Sequence, residues 1–487
     1  MPTILRDIMD EIKDFVTTWQ NRLTEDPAAF RSMEWDALRL GTRIVGLMVA
    51  LVLTERRIGT VAEEEGLRNR PDRLRSPRMV QRWVRLPGDT RVKVETAYCA
   101  PKTRSRKKRK RGVEGSGTYP AFAVLGILEG KSPLNAELLL RFAIQMPSFE
   151  SARKELDLLG HSYGSKMPGR TVKDYGKQAL EARNAEIEAW RKGELVPEDT
   201  LAGCKVVASM DGGRLRVRYK KKRTRKGKKQ KFKAEWKEPK LLVIYVLDKN
   251  GKRDKEFKVQ LDATMAGPDE AMELLAFHLY RLGASKAQLV EFIADGAPWI
   301  WLRIDNVIAK AQLDPKRCRR VLDFYHACEH VSAGLDACRL KGKEKKRQLS
   351  RLKNLLKAGK ASDVLLYLQA CLGKVRRKEN RNALQGHIEY LEKRLPMLRY
   401  ATFARRKLAL GSGAVESGIR RVINLRVKSP STFWDMDTAE AMIHMRSQLL
   451  SDRWDEMMER VRKHSLVSRQ KNYLFTPTIC TDDAEAA

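Results

Sequence analysis

Three acidic residues that are far apart in the chain each lie where a carboxylate could hold a metal ion. Asp211 follows the apolar stretch KVVASM, Asp295 follows VEFIA, and Glu416 begins a predicted helix after Gly411 and Gly413. Phosphodiester chemistry with two divalent ions needs carboxylates from separate elements, because Mg²⁺ takes oxygen ligands and keeps water and substrate oxygens in its shell. The three acids are therefore candidates for metal-dependent chemistry on a phosphate.

Each of these acids also has a purely structural interpretation. Asp211 could close a turn with the two glycines that follow it, Asp295 could cap the helix predicted over 299–313, and Glu416 could pair with Arg420 one helical turn later. Trp299 and Trp301 could stack on a flipped base, although packing behind Asp295 is the favoured interpretation. Other carboxylates compete for the site, with Glu440 the second choice for the third acid; the others are Asp248, Asp262, Asp305 and Asp323.

The charge of the chain indicates a polyanionic partner. The 487 residues include 97 Lys and Arg against 61 Asp and Glu, a formal charge of +36, which favours nucleic acid. An anionic membrane is the rival, but the apolar run IVGLMVALVL (44–53) is too short to span a bilayer and is expected to be a buried helix segment. The N-terminal apolar stretch contains acids, so a secretory signal is not expected. We therefore expect a cytoplasmic, nucleoid-associated protein without a membrane partner.

The first 200 residues are predicted to be mostly helical. Residues 1–80 have helical spacing, and 81–112 contain a hairpin followed by a basic linker, KTRSRKKRKRG. Residues 113–198 then give two short helices, a turn and a basic helix, the order of a helix-turn-helix DNA-binding region. Its expected recognition helix has Arg170, Thr171 and Lys173 near the N-terminus as candidate DNA contacts.

The second part of the chain predicts an α/β architecture. Residues 199–331 give three strands joined as a meander, then helix, strand, helix and strand, which predicts a mixed five-stranded sheet and matches the RNase H-like fold. An all-α insertion is expected over 332–405, after which 406–450 return to the core. Residues 451–487 are expected to form a C-terminal helix and a disordered tail.

A basic loop between the first two predicted strands is a candidate DNA-binding arm. Within 218–233, 11 of 16 residues are Lys or Arg, and such side chains bind phosphates without reading sequence. The candidate contacts in and beside this loop are Arg214, Lys220, Lys221, Lys222, Arg223 and Arg225. The seven cysteines contain no CxxC pair, so we expect reduced thiols, and no zinc site is predicted, including at Cys328 and His330.

Four motifs occur in an order that resembles a known family. SMDGGR, FIADGAPWIW, LDFYHACEH and GSGAVESGIRRVINLR, interrupted by a helical insertion, are similar to bacterial insertion-sequence DDE transposases of the Kra-type branch, whose layout is similar to that of Mutator and hAT transposases. The resemblance covers about 200–450 closely and the helices of 115–195 loosely. Unlike some relatives, the chain has no cysteine pair near its N-terminal hairpin, so no zinc module is expected there.

The resemblance implies a function and a set of site residues. The catalytic, metal-binding acids of the family fall on Asp211, Asp295 and Glu416, and Asp323 and His326 match a motif expected beside the scissile phosphate. Arg420, Arg421 and Arg426 follow Glu416 on the same predicted helix, and they are expected to hold the DNA strand that contains this phosphate. His326 could instead be a core histidine bonded to a backbone carbonyl.

The expected reaction is 3′-end cleavage of DNA followed by strand transfer into target DNA. Mg²⁺ or Mn²⁺ is the expected cofactor, with two ions per site. The expected partners are the terminal inverted repeats of a mobile element, target DNA, and further copies of the chain in a dimer or higher oligomer. The alternatives are a catalytically inactive, transposase-derived DNA-binding protein, an RNase H-like nuclease, and a structural nucleoid or ribosome protein, which would explain the charge but not the three acids.

Overall fold

The chain forms two compact units in the computed structural model, which describes residues 2–68, 77–100, 119–220, 232–430 and 432–471. One unit comprises residues 1–182 and 455–487, and the other comprises 183–454. The predicted basic linker (102–112), the residues 221–231 of the basic loop and the predicted tail after 471 lie outside the described residues.

The first unit combines helices with one β-hairpin. Strands β1 and β2 pair antiparallel around a turn at Pro87 and Gly88, as predicted. Ser148 caps a helix through the amide of Ser151, and the left-handed Gly160 follows the end of that helix, so these sequence signals are also confirmed. The elements are α1 (Pro2–Glu25), α2 (Phe30–Thr54), α3 (Arg56–Arg68), β1 (Arg78–Arg85), β2 (Arg91–Tyr98), α4 (Pro120–Val124), α5 (Pro133–Gln145), α6 (Phe149–Leu158) and α7 (Met167–Arg191).

The prediction that the apolar run 44–53 is buried is wrong. It lies in α2, where Gly46 and Ala50 are buried, and a Cβ on Gly46 would overlap the backbone oxygen of Pro87. The helix therefore packs through its small residues and leaves larger ones outside, with Met48 57% and Val52 55% exposed. Within the described residues, the helical stretch Pro27–Thr54 has the length and composition needed to cross a membrane.

The second unit contains the mixed five-stranded sheet that the sequence predicts. Its strand order is β7-β6-β3-β8-β9; β3, β6 and β7 pair antiparallel, and β3, β8 and β9 pair parallel. The strands and the helices between them are β3 (Lys205–Gly212), β4 (Leu215–Lys220), β5 (Phe232–Lys237), β6 (Lys240–Leu247), β7 (Gln260–Thr264), α8 (Pro268–Arg281), β8 (Leu289–Ala294), α9 (Pro298–Trp301), α10 (Ile304–Lys310) and β9 (Cys318–Leu322).

Two details of the strands differ from the prediction. The stretch CRRVLDFYH was predicted as one strand, but β9 ends at Leu322 because the Asp323 side chain caps the next helix through the amide of His326. The basic loop also contains more structure than the sequence indicated. Its two described ends are β4 and β5, which pair antiparallel as a separate two-stranded ribbon.

Helices follow the sheet to the end of the described chain. As predicted, residues 332–405 contain no strand, and every residue of that segment is described. These helices are α11 (Phe324–Ala337), α12 (Gly342–Lys357), α13 (Ala361–Leu372), α14 (Lys378–Glu392), α15 (Tyr400–Arg405), α16 (Gly413–Ile419), α17 (Met436–Leu450) and α18 (Trp454–Lys471), with a π-helical turn at Arg420–Asn424.

The two faces of the sheet are covered differently. One face supplies Val206, Ala208 and Met210 of β3 to a large apolar core that also includes α8 and α10. Because side chains alternate along a strand, Asp211 points to the opposite face. Its antiparallel partner Leu241 contacts α16 there, where a Cβ on Gly418 would lie 2.6 Å from Leu241 Cδ2. The α16 helix and the candidate acids therefore share one face of the sheet.

Candidate active site

Three aspartates lie level with one another at the ends of three adjacent parallel strands, Asp211 near the end of β3 and Asp295 and Asp323 directly after β8 and β9. The paired residues Ala208 and Phe292 stand three positions before Asp211 and Asp295. The pair Ala294 and Leu322 directly precedes Asp295 and Asp323. Neighbouring strands are about 4.8 Å apart, so the sheet brings the three carboxylates to one edge, at the carboxyl ends where open α/β sheets place their ligand sites.

The carboxylate of Asp211 is close to the other acids that the sequence selected. The pKa of Asp211 is raised to about 6, mainly by burial and also by the charges of Asp295 and Glu416, although the amide of Gly212 and the charge of His326 lower it. The amide of Gly212 donates to Asp211 Oδ1 at 2.6 Å. The charges of Asp295 directly after β8, His326 of α11 and Glu416 of α16 therefore all act on the carboxylate of Asp211.

Asp295 is fixed by its own loop. Its Oδ1 accepts the amide of Ala297 at 2.9 Å, and its carbonyl accepts Trp301 Nε1 at 2.6 Å. Trp301 is 9% exposed and belongs to the apolar core with Trp299 packed against it, so the prediction that these tryptophans serve packing is confirmed. The bond to Ala297 closes a turn, but the N-cap of α9 is Ala297 and no side chain caps that helix, so the helix capping considered for Asp295 is not found.

Asp323 joins two segments at the same edge of the sheet. It is fully buried, its Oδ1 accepts the amide of His326 at 2.9 Å, and its Oδ2 accepts the amide of Ser412. Both oxygens therefore join the start of α11 to the segment that leads into α16. Asp323 thus positions its neighbours, and its location beside a scissile phosphate stays a prediction.

His326 and Glu416 are the more accessible members of the group. The His326 ring is half-buried, with Nδ1 3.2 Å from Glu329 Oε2, so it is not the carbonyl-bonded core histidine considered from the sequence. Glu416 is exposed and its Oε1 accepts Ser412 Oγ at 3.4 Å. Within the described residues, no ion pair joins Glu416 to Arg420, the alternative that the sequence allowed.

The competing carboxylates are engaged elsewhere. Glu440 accepts Arg183 Nη2 at 3.0 Å and the amide of Met265, in a network around Asp262 on the edge strand β7, two strands from β3. Asp248 accepts two amides in a turn, as predicted. Asp305 forms an ion pair with Arg320.

The donor set fits a hard divalent cation. It consists of carboxylate oxygens, the ligands that Mg²⁺ and Mn²⁺ prefer, and the mutual repulsion that raises the Asp211 pKa is relieved when a cation binds between the acids. Asp211, Asp295 and Glu416 are the residues that would hold it. In the part of the chain that the structure describes, no three His, Cys, Asp or Glu side chains surround one point as ligands. The three acids therefore fit a divalent cation by the chemistry of their oxygen donors.

The predicted DNA-binding residues divide by exposure. Arg170, Lys173, Arg214 and Arg420 are exposed, and Arg421 is half-buried. Thr171 is fully buried on the inner face of α7, and Arg426 is 2% exposed with its guanidinium 5.2 Å from the Trp434 ring. Thr171 and Arg426 are therefore too deeply buried in this structure to contact DNA. The Lys220 side chain, Lys221, Lys222, Arg223 and Arg225 lie outside the described residues.

Sequence reasoning missed the contribution of the helical insertion to this site. Tyr390 and Arg394 reach the residue after Asp295 from α14 and its C-terminal end, with Arg394 Nη2 donating to the carbonyl of Gly296 at 2.6 Å. The two side chains are one helical turn apart, which is an ordinary helical pattern. The sequence signal for this approach is Gly296 itself, because a glycine at a strand end can mark a place where another element comes close.

Comparison with known proteins yields no match, either to a protein-family model or to a curated protein. The functional assignment therefore depends on the chemistry of Asp211, Asp295 and Glu416 and on the surrounding charge.

Proposed function

We propose that this chain is a DNA transposase of the DDE type, with an RNase H-like core, which cleaves and joins DNA strands by metal-dependent phosphodiester chemistry. The observation that carries the proposal is the electrostatic coupling of Asp211 to Asp295 and Glu416 at the carboxyl edge of a mixed sheet. A formal charge of +36 supports a nucleic acid substrate.

The chain's own residues supply binding and orientation. Asp211 and Asp295 present ionised oxygens at the sheet edge, and Glu416 approaches from α16 above β3 and β6. Divalent ions bound there would stabilise the charge that develops on the entering and leaving oxygens. Arg214 and Arg420 are exposed close in sequence to Asp211 and Glu416, so they can hold the phosphates that flank the reacting one.

The inverted repeats that flank the coding DNA provide the direct test of the proposal. Duplexes that carry such a repeat are incubated with the full-length protein and Mg²⁺ or Mn²⁺, and strand cleavage is followed at single-nucleotide resolution. We expect a cut at the repeat boundary that EDTA abolishes. Equal cleavage of RNA–DNA hybrids without a repeat would favour an RNase H-like nuclease, and DNA binding without any cleavage would favour the inactive derivative.

Arg214→Ala and Arg420→Ala are expected to weaken DNA binding uniformly across sequences. Each lost phosphate contact reduces the slope of log K against log salt by about 1, and lowers affinity about tenfold at 0.1 M salt. Fluorescence anisotropy at several salt concentrations measures both quantities. Arg347→Ala is the control, since that exposed arginine is already paired with Glu344 at 2.9 Å. An unchanged salt slope in the double variant would remove these two residues from the DNA interface.

A further inference from the structure

The helical insertion contacts the residue after Asp295. The carbonyl of Gly296 accepts Arg394 Nη2 at 2.6 Å, and the Tyr390 hydroxyl packs against Gly296. A Cβ at position 296 would overlap the Tyr390 hydroxyl and ring. The close approach explains why glycine is required here, and it attaches α14 to the sheet edge.

Tyr390 is itself held in place by neighbours in and directly before the insertion. Its ring stacks on His330 of α11, with centroids 3.4 Å apart and planes 5° from parallel. The Arg394 guanidinium lies 4.0 Å from the same ring, and His330 Nδ1 is 3.1 Å from His387 Nδ1. Burial, together with the charges of His387, Arg394 and His326, lowers the pKa of His330 to about 4, so the stacked imidazole is neutral near pH 7.

These contacts act on the loop that carries the Asp295 carboxylate. Within that loop, Asp295 Oδ1 accepts the amide of Ala297 and the Asp295 carbonyl accepts Trp301 Nε1. Tyr390 and Arg394 contact the same loop at Gly296, from the side of the helical insertion. A metal ligand must be held within about 0.5 Å of its working position, and the partners that orient ligands change metal affinity by about 10- to 100-fold when removed.

We propose that the helical insertion is a positioning device for Asp295, and that Tyr390 and Arg394 are its positioning residues. The inference rests on the proposed function in taking Asp295 as a metal ligand. Its physical core, the attachment of Gly296 to α14, is independent of that assignment.

Tyr390→Phe tests the inference with the loss of a single oxygen atom. The ring and its stacking on His330 remain, while the hydroxyl that packs against Gly296 is lost. In the full-length protein we expect Mn²⁺ affinity, measured by calorimetric titration, to fall about tenfold. We also expect faster hydrogen exchange in the peptide that covers 293–302. Cleavage by the variant should be restored by high Mn²⁺ concentration, which a variant that is merely unfolded would not show.

Tyr367→Phe is the matched control, because Tyr367 lies on α13 in the same insertion and its hydroxyl interacts with Cys371. Its Mn²⁺ affinity and exchange should equal those of the wild type. Arg394→Gln provides a second variant and should reproduce the effects of Tyr390→Phe. Unchanged exchange in both Tyr390→Phe and Arg394→Gln would overturn the inference. A wild-type protein that binds no Mn²⁺ would instead overturn the proposed function and the metal-positioning role, while the exchange result would still decide whether the insertion holds Gly296.

Discussion

Asp211→Asn is expected to abolish metal-dependent DNA cleavage and, in the same protein, to stabilise the metal-free fold. The amide keeps the shape of the side chain and can still accept the Gly212 amide, but it removes the charge that holds a cation. We expect a loss of about 10³-fold or more in cleavage rate, about 4 kcal/mol in the barrier. DNA affinity measured in EDTA should not fall, since the substitution removes a negative charge beside the substrate.

The gain in stability follows from the pKa of Asp211. Burial and the neighbouring acids raise that pKa from 3.8 to about 6, so the charged form is disfavoured in the folded protein. The unfolded chain loses this proton near pH 4, so the penalty grows as pH rises from about 4 to 6 and is complete above that range. Without metal at pH 7.5, Asp211→Asn should therefore raise the free energy of unfolding by about 1–3 kcal/mol.

Urea denaturation in EDTA at pH 7.5 and pH 4 measures this difference, which should vanish at the lower pH. Asp363→Asn, at an exposed position on α13, should change neither cleavage nor stability by a comparable amount. Lower stability of Asp211→Asn at pH 7.5 would show that Asp211 is a satisfied structural carboxylate. Cleavage retained at the wild-type rate would contradict the assignment of Asp211 as a metal ligand.

The parts of the site that could be predicted from sequence are those set by local pattern. Apolar runs that end in Asp211 and Asp295 predict strand ends. The strands β3, β6 and β7 pair antiparallel and α8 then leads to β8, so β3 and β8 run parallel and both acids reach the same edge. Glu416 follows glycines that predict a helix start. Each of these signals is a local pattern of about ten residues around the acid concerned. In the structure, the charges of Asp295 and Glu416 act on Asp211, so the three residues share one region.

The parts that could not be predicted depend on contacts between distant segments. Asp323 was assigned to the phosphate by resemblance. Its oxygens accept amides from His326 and from Ser412, and nothing in LDFYH indicates the second partner. Arg426 was expected on the surface because arginine usually is. Burial against Trp434 instead lowers the pKa of Arg426 to about 10, and that environment is built by a segment beyond the motif.

Asp262→Ala is expected to cause the largest loss of stability among single substitutions of acids in the second unit. Asp262 is fully buried and accepts His278 Nε2 at 3.0 Å, His444 Nδ1 at 2.8 Å and Arg183 Nη1 at 3.3 Å. Removing it leaves the guanidinium of Arg183, which is 10% exposed, without its main buried counter-charge. Breaking a buried pair in this way costs about 3–5 kcal/mol, which urea denaturation at pH 7 measures.

The dependence of this effect on pH has a definite sign. Burial alone would raise the pKa of Asp262, but the charges of His444 and Arg183 and the hydrogen bonds from both histidines hold it well below its usual value. The contribution of Asp262 is therefore fully present above the unfolded pKa near 4, and it is lost as pH falls toward the folded pKa. The difference in unfolding free energy between wild type and Asp262→Ala should accordingly shrink below pH 4. A difference that stays constant down to pH 2 would mean that folding does not lower the pKa of Asp262.

Substitution of Glu440 tests whether this residue belongs to the buried network or to the active site. Glu440 was the second choice for the third catalytic acid, and it is also a partner of Arg183. Its side chain is 18% exposed and bonded to Arg183 and to the amide of Met265. Glu440→Gln keeps the shape of the side chain and one of its two acceptor oxygens. It should therefore cost less stability than Asp262→Ala and leave the cleavage rate within about threefold of the wild type. Glu416→Gln should show the reverse, with normal stability and no cleavage. Loss of cleavage in Glu440→Gln with full activity in Glu416→Gln would exchange the two assignments, since only the true ligand needs its charge for the reaction.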